Sequence, residues 1–552
     1  MKLHQQYQLL YQAYGEAPVQ PGLPQLAELW RCSERNARLQ LARMREQGWL
    51  EWQAGRGRGH RSTLRLTQAP EALDWLGVQG LLERGQLEQA FALLDPPRQQ
   101  QLLASLPAHL GARDSGRSLR IPIPHAPMTL DPQRVNSRLE AHLVRQIFDR
   151  LCRHDKQGKA LRPALAHHWE CDAEGKNWRF WLRPGLRFHD GSALDAAAAA
   201  ASLLRLKQPD NPYHALYGHL QRVEAHDALS FSCRLSEADY LWPQRLATAN
   251  ASIVPLRRGP DFDRLPVGSG PFRVELHSPQ RLKLAAFERH YRERALLDAI
   301  ELWIIPSPNE QDFHLKLEYG TPHGATMLQS ACTYLLIRPG SPAIPPEQRL
   351  PLMSHLATPH PVAASDERQP AQGLQPGWTH PRPAANAPPR LKAPALTLYH
   401  YDLPCFPALA ATLAQRLAPL DIRLDIRCLP RREFFDASAW QAQADLILCS
   451  EILHDDRDYG MFEWLSGCGT LRLGLSAAAG NRLADDMRQL QAQPAFAARQ
   501  AAYRRAGDWL VSEGWLLPLS HEQVGHSASP QLAGLQMGGN GWTDFAGLWL
   551  RA

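Results

Sequence analysis

The chain's 552 residues, 44% hydrophobic and 21% charged, exceed what one core usually holds and describe a soluble multidomain protein. The start, MKLHQQYQLLYQAYGEA, has no apolar run long enough for a signal peptide, and no later stretch approaches the ~20 apolar residues of a membrane span, so a cytoplasmic protein without a membrane partner is expected. The nine cysteines are scattered without a CxxC pair, which argues for free thiols against a disulfide framework or a zinc site.

In chain order, His4 to Tyr14 reads as a helix, with Leu9, Leu10 and Tyr14 expected to face a core. Pro24 suits the first turn of the next helix, where its missing N–H would be unpaired anyway, and Leu26, Leu29 and Trp30 recur at helical spacing. After a tight turn at Arg31 and Cys32, Ser33 is placed to cap a third helix whose buried stripe is Ala37, Leu41 and Met44. Gly48 ends it, and Trp49 to Gln53 and Arg61 to Leu66 read as strands about a glycine-arginine tip, Gly55 to Gly59. Two helices about a turn, followed by a basic two-stranded ribbon, describe an α+β winged helix-turn-helix over residues 1–66.

The placement of charge points to double-stranded DNA. Residues 1–66 carry ten Lys and Arg against five acids, +5 of the chain's net +6, so the remainder is close to neutral. Ser33, Arg35, Asn36 and Arg38 occupy the first turns of the third helix, where a major groove would be read, and Arg56, Arg58, His60 and Arg61 occupy the wing, where phosphates would be met. GRGRG also resembles a dinucleotide-binding glycine loop, but a strand-like basic segment follows it instead of a helix.

Residues 67–118 read as a helical linker, broken near Gly85 and at Pro96-Pro97 and ending in GARDSGRS; its apolar face either pairs two chains or rests on the next domain. From Leu119 the character is α/β. Trp178 to Leu182 reads as a strand, RPG and HDG as turns, and Asp195 as the cap of an alanine-rich helix. Leu396 to His400, Ile422 to Cys428, Ala444 to Cys449 and Trp515 to Leu519 read as strands, and Tyr503 to Val511 as a helix.

Gly158, Pro163, Leu165, Ala166 and Trp169, then Leu182, Arg183, Gly185, Phe188, Asp190 and Gly191, and finally Gly268, Ser269, Gly270, Pro271 and Phe272 form an ordered set of marks. In these residues 119–552 resembles the oligopeptide- and nickel-type solute-binding proteins, which implies a two-lobed periplasmic-binding-protein-like (type II) α/β domain. With Cys32, Ser33, Arg35, Arg38, Gly48 to Leu50, Trp52, Gly57 to Gly59, Arg61 and Ser62 in front of it, the whole chain resembles the SgrR-like transcriptional regulators. That resemblance implies an activator in the response to sugar-phosphate stress, with a small polar solute as ligand. His60 stands where a lysine is expected, which would make a phosphate contact there sensitive to pH. Residues 338–395 are rich in Pro and Ala, so the start of the second lobe is poorly marked.

No GxSxG elbow, P-loop or HExxH is present, and neither an enzyme nor a cofactor is expected. HDDRD at 454–458 reads as a solvated loop in preference to a metal site, His521 and His526 as surface residues, and His167-His168 as the end of a helix. By analogy with solute-binding relatives, Ser269, Glu451 and His454 are the candidates for a ligand cleft. Two other functions are weighed: a transport-type solute- or peptide-binding protein with a basic N-terminus, disfavoured by the absence of a signal peptide, and a hydrolase, for which no convergent acid-base set exists.

Overall fold

The computed structural model describes residues 3–53, 62–83, 86–95, 97–99, 101–102, 117–123, 125–135, 137–155, 160–304, 315–319, 325–365, 368–453, 456–538 and 541–551. The chain divides into two compact units, Met1–Ala112 and Arg113–Ala552.

In the first unit, helices Leu3–Tyr14, Leu23–Leu29 and Glu34–Glu46 precede an antiparallel ribbon that pairs Leu50 with Leu66 and Gln53 with Thr63. Arg31 takes a left-handed φ of 49° and Gly48 one of 72°, the two sharp corners of the helix-turn-helix and of the entry to the ribbon. The stripe Ala37, Leu41 and Met44 is buried against Leu10, Leu26, Trp30 and Leu64. Tyr7 joins them: it is fully buried, and its hydroxyl lies 2.8 and 2.7 Å from the carbonyls of Trp49 and Gln68. Leu9 and Tyr14, expected inside, are only half-buried. Helices Pro70–Glu83 and Leu87–Ala92 continue the same unit.

The second unit has two lobes and an added subdomain. The first lobe is a sheet ordered Phe272–His277, Arg281–Ala286, Ala299–Ile304, Ser118–Ile123, with the helix Arg138–Ile147 burying Leu143, Val144 and Ile147 against the same core. The subdomain, a sheet of Ala166–Cys171, Asn177–Leu182, Ser230–Leu235 and Leu220–Ala225, carries the helix Ala196–Leu206, capped as expected by Asp195 accepting the Ala198 N–H at 2.9 Å. The second lobe is ordered Leu315–Tyr319, Leu517–Ala528, Ala331–Ile337, Leu446–Ile452, Ala395–Tyr401, Arg423–Leu429. Every residue of Ala331–Ile337 is buried, as a central strand covered on both faces requires. Subdomain and second lobe share a core, and buried Arg245 ties them through Gln491 Oε1 at 2.8 Å while its Nε meets Asp239 at 2.6 Å.

Four local expectations change. His167 and His168 lie in the strand Ala166–Cys171, not at a helix end. The strand expected at Trp515 to Leu519 runs as Leu517–Ala528, and His521 within it is buried, its Nδ1 2.7 Å from the Ala331 carbonyl. HDDRD is not a solvated loop where it is described: Asp456 caps the helix Arg457–Gly467, and buried Asp458 takes two guanidinium N–H groups of Arg499 at 2.9 and 2.7 Å. His454 and Asp455 lie outside the described residues.

The Gly268-Ser269-Gly270 mark is a backbone crossing. A Cβ at Gly268 would stand 2.0 Å from the Ile147 carbonyl oxygen, and one at Gly270 2.7 Å from that of Gln146, so only glycine permits this approach to the helix end. Gly270 N–H donates to Ile147 O at 2.9 Å, and Asp149 N–H donates to Ser269 Oγ at 3.2 Å. His189 closes the crossing, with Gly268 N–H donating to Nδ1 at 3.2 Å and Nε2 3.0 Å from Gly270 O, a pairing that requires the neutral Nε2–H tautomer.

Gly268→Ala should therefore cost at least about 2 kcal/mol, read as a lowered melting temperature of the full chain, because the obstructing atom is backbone. Burial, its largest cause, holds the His189 pKa down at about 4, against 6.5 for the free group. The unfolded chain takes up this proton first, so the stabilisation is complete above pH 6.5 and is lost as pH falls through about 4. The expected slope from this group is at most about 1.4 kcal/mol per pH unit in that window, and His189→Gln should flatten the acid limb of a melting-temperature profile.

Candidate DNA-reading helix and solute cavity

In the first unit the helix Glu34–Glu46 starts at Ser33, whose Oγ accepts the Asn36 N–H at 3.3 Å. The hydroxyl hydrogen is still available to a phosphate oxygen. Arg35, Asn36 and Arg38 are exposed on the first two turns, with Leu39, 51% exposed, beside them, while Ala37 and Leu41 anchor the opposite face. Asn36 Oδ1 accepts from Gln40 Nε2 at 3.2 Å. A paired contact to an adenine edge needs both ends of that amide, so Gln40 would have to release it. Arg56, Arg58, His60 and Arg61 lie outside the described residues.

In the second unit a cavity of about 890 Å³ lies between the lobes, a size suited to a small molecule. One wall is a face of the helix Arg138–Ile147, where Arg138, His142 and Arg145 follow each other at helical spacing. The other comes from the second lobe and includes Tyr401, Arg431, Phe434, Glu451 and Glu522. His142, 5% exposed, stacks on Trp542 at 4.5 Å, and Phe545 meets it edge-on at 4.6 Å. Burial and then the guanidiniums of Arg145 and Arg138 hold its pKa down at about 3, so the ring is neutral. Arg138 is pressed below the usual guanidinium range by burial and then by Arg431. Glu522 accepts from Ser520 Oγ at 2.6 Å and Thr333 Oγ1 at 3.3 Å, and Glu451 accepts the Cys468 thiol at 3.5 Å.

Of the candidates for this cleft, Glu451 lines the cavity. Ser269 does not: it is buried at the backbone crossing, occupied with Asp149. His454 is outside the described residues. The basic face Arg138, His142, Arg145 was missed, although its spacing on a helix with Leu143, Val144 and Ile147 opposite is a readable pattern; Arg431 carries no comparable signal. Among the described residues no group of three His, Cys, Asp or Glu is placed to hold a metal, and no helix is long and apolar enough to cross a membrane.

Comparison with known proteins follows this division. Residues 2–116 match the family described as sugar transport-related sRNA regulator, N-term, and residues 160–317 match bacterial extracellular solute-binding proteins, family 5 middle. The murein tripeptide binding protein MppA of Escherichia coli is similar in structure at a TM-score of 0.64 and 16% identity, over 79% of this chain and 99% of that one. A dipeptide binding protein from Pseudoalteromonas sp. SM9913, in complex with Met-Leu, is similar at 0.66 and 14%, over 79% and 100%. These likenesses establish the type II solute-binding fold of the second unit. A transport-type binding protein accounts for that unit but leaves residues 2–116 unexplained. The HTH-type transcriptional regulator SgrR of Yersinia pestis (strain Pestoides F) is 30% identical over 572 aligned positions, spanning 99% of this chain and 98% of its own. With a helix-turn-helix unit, a second unit of solute-binding fold and similarity over essentially its whole length, this chain belongs to the SgrR family of HTH-type transcriptional regulators.

Proposed function

We propose that this regulator responds to a small polar solute, a sugar phosphate or related metabolite, and that closure of the two lobes on it changes how the winged helix engages operator DNA. The observation that carries this reading is an arginine-lined cavity of about 890 Å³ in a chain that also presents a basic reading helix. In it the protein works in the cytoplasm, Arg35, Asn36 and Arg38 meet base edges, and Ser33, Arg56, Arg58, His60 and Arg61 meet phosphates. The solute is bound and released unchanged, and the output is activation of transcription.

The test is operator binding by the full chain, with the operator selected from random duplexes, as hexose 6-phosphate is added. The affinity should change by about 5- to 150-fold, a coupling of roughly 1 to 3 kcal/mol, and operator DNA must change solute affinity by the same factor. An unchanged operator affinity with the solute demonstrably bound would sink the sensing reading. Arg35→Ala or Arg38→Ala should relax preference at one base pair by about 1 to 3 kcal/mol, measured as the ratio of operator to scrambled-duplex affinity; a ratio unchanged in both variants would remove this helix from base reading.

A further inference from the structure

Among the described residues, the sheet of the second lobe ends on the strand Arg423–Leu429, which pairs in parallel with Ala395–Tyr401 on one side and with no strand on the other. Arg423 N–H donates to Pro394 O at 2.9 Å. Because amides alternate along a strand, Asp425 and Arg427 also turn theirs to this neighbour, while Leu424, Ile426 and Cys428 turn N–H and C=O outward. Such a row is a template for a further strand, and edges are commonly closed by proline, a bulge or a covering element. This edge has seven residues, no proline and an unbroken register, and Ile426 on it is 42% exposed. On the other face Asp425 holds Arg423 at 2.9 Å, whereas Arg427 makes no ion pair among the described residues.

We propose that the occupant of this edge is a second copy of the chain, its own Arg423–Leu429 running antiparallel to the first about a twofold axis at Ile426. The outward amides then form the hydrogen-bonded pairs, Ile426 with the copy's Ile426 and Leu424 with the copy's Cys428, for about six backbone hydrogen bonds. This register overlaps the strand along its whole length. It also sets Asp425 directly opposite the copy's Arg427, and by symmetry the reverse, at the non-hydrogen-bonded positions where side chains approach most closely. Moving the axis by one residue in either direction opposes Asp425 to Asp425 or Arg427 to Arg427, and like charges placed so are unfavourable. The charges on this edge therefore select one alignment of an identical strand. Dimerisation through the solute-binding unit gives each assembly two reading helices, as an operator of two half-sites requires. The proposal does not depend on the identity or the effect of the solute.

The experiment measures the mass of the full chain by sedimentation over about a hundredfold range of concentration, with circular dichroism confirming that each variant is folded. The unaltered chain should pass from monomer to dimer across that range. Asp425→Arg and Arg427→Asp, each of which sets like charges face to face, should weaken association at least tenfold. The double variant carrying both changes exchanges the two charges and should return to within threefold of the unaltered chain, a recovery that damage to the fold could not produce. Ile426→Cys should cross-link to its copy on oxidation by diamide, since opposed residues of a hydrogen-bonded pair have Cα atoms about 5.5 Å apart, within disulfide reach; Cys428 of the unaltered chain, opposite Leu424, should not. The proposal is overturned if the chain is monomeric at every concentration, if both single variants associate within twofold of the unaltered chain, if the charge exchange restores nothing, or if the unaltered chain cross-links through Cys428 as readily as Ile426→Cys does.

Discussion

The crossing of Gly268-Ser269-Gly270 over the end of the helix Arg138–Ile147 is the contact on which the solute unit depends. Backbone meets backbone there, with Gly270 N–H on Ile147 O and Ser269 Oγ on Asp149 N–H. Beyond Asp149 the chain leaves for the subdomain, and it returns at Ile253, whose N–H donates to Asp149 O at 3.0 Å. Asp149 also holds His290 at 2.9 Å. One short segment thus fixes the end of a helix and the root of a subdomain. The helix it fixes has Leu143, Val144 and Ile147 in the core, so the opposite face is presented to the cavity at a set height and rotation. A side chain larger than glycine at 268 or 270 would move the cavity wall as well as the core.

Arginine has two kinds of setting in this chain. Arg245 and Arg499 lie within the fold, each with a carboxylate at 2.6 or 2.7 Å, and Asp239 accordingly has a pKa below the ordinary carboxylate range despite complete burial. Such pairs offset desolvation internally, and breaking one from a single side leaves a buried charge that costs about 3 to 5 kcal/mol. Five arginines and three glutamates line the cavity, and Arg138 is pressed below the usual guanidinium range by burial and then by Arg431. A charge arrangement that raises the free energy of the empty site lowers that of the occupied one relative to it.

What the sequence disclosed follows from how local each signal is. Ser33 as a cap, the Ala37–Leu41–Met44 stripe, Gly48 as a stop and Asp195 as a cap depend on neighbours within a few residues, and all four stand in the structure as read. Asp458 was misread because its partner, Arg499, is 41 residues away, and a run of charge without a visible partner looks solvated. His521 was misread because the strand carrying it is central to the second lobe, a property of sheet order and not of the alternation around it. Ser269 was placed in the cleft because a glycine-flanked serine resembles a binding turn, whereas the glycines are needed for the crossing. The cavity itself draws on residues near 138, 431, 451 and 522, and no local pattern joins them.

For regulation the decisive quantity is the difference between affinities for the closed and open lobes. A solute that gripped both equally would shift nothing however tightly it bound, and a shift from 1:99 to 99:1 needs about 5.5 kcal/mol of difference. Contacts to one lobe contribute to affinity alone; contacts shared between lobes contribute to the difference. The aromatic packing of His142 against Trp542 and Phe545 lies wholly within the first lobe's core, so it fixes the ring without joining the two lobes. Only a group reached from both walls at once can do that, and among the ionised side chains that line the cavity the guanidiniums are the ones contributed by both lobes with the same sign.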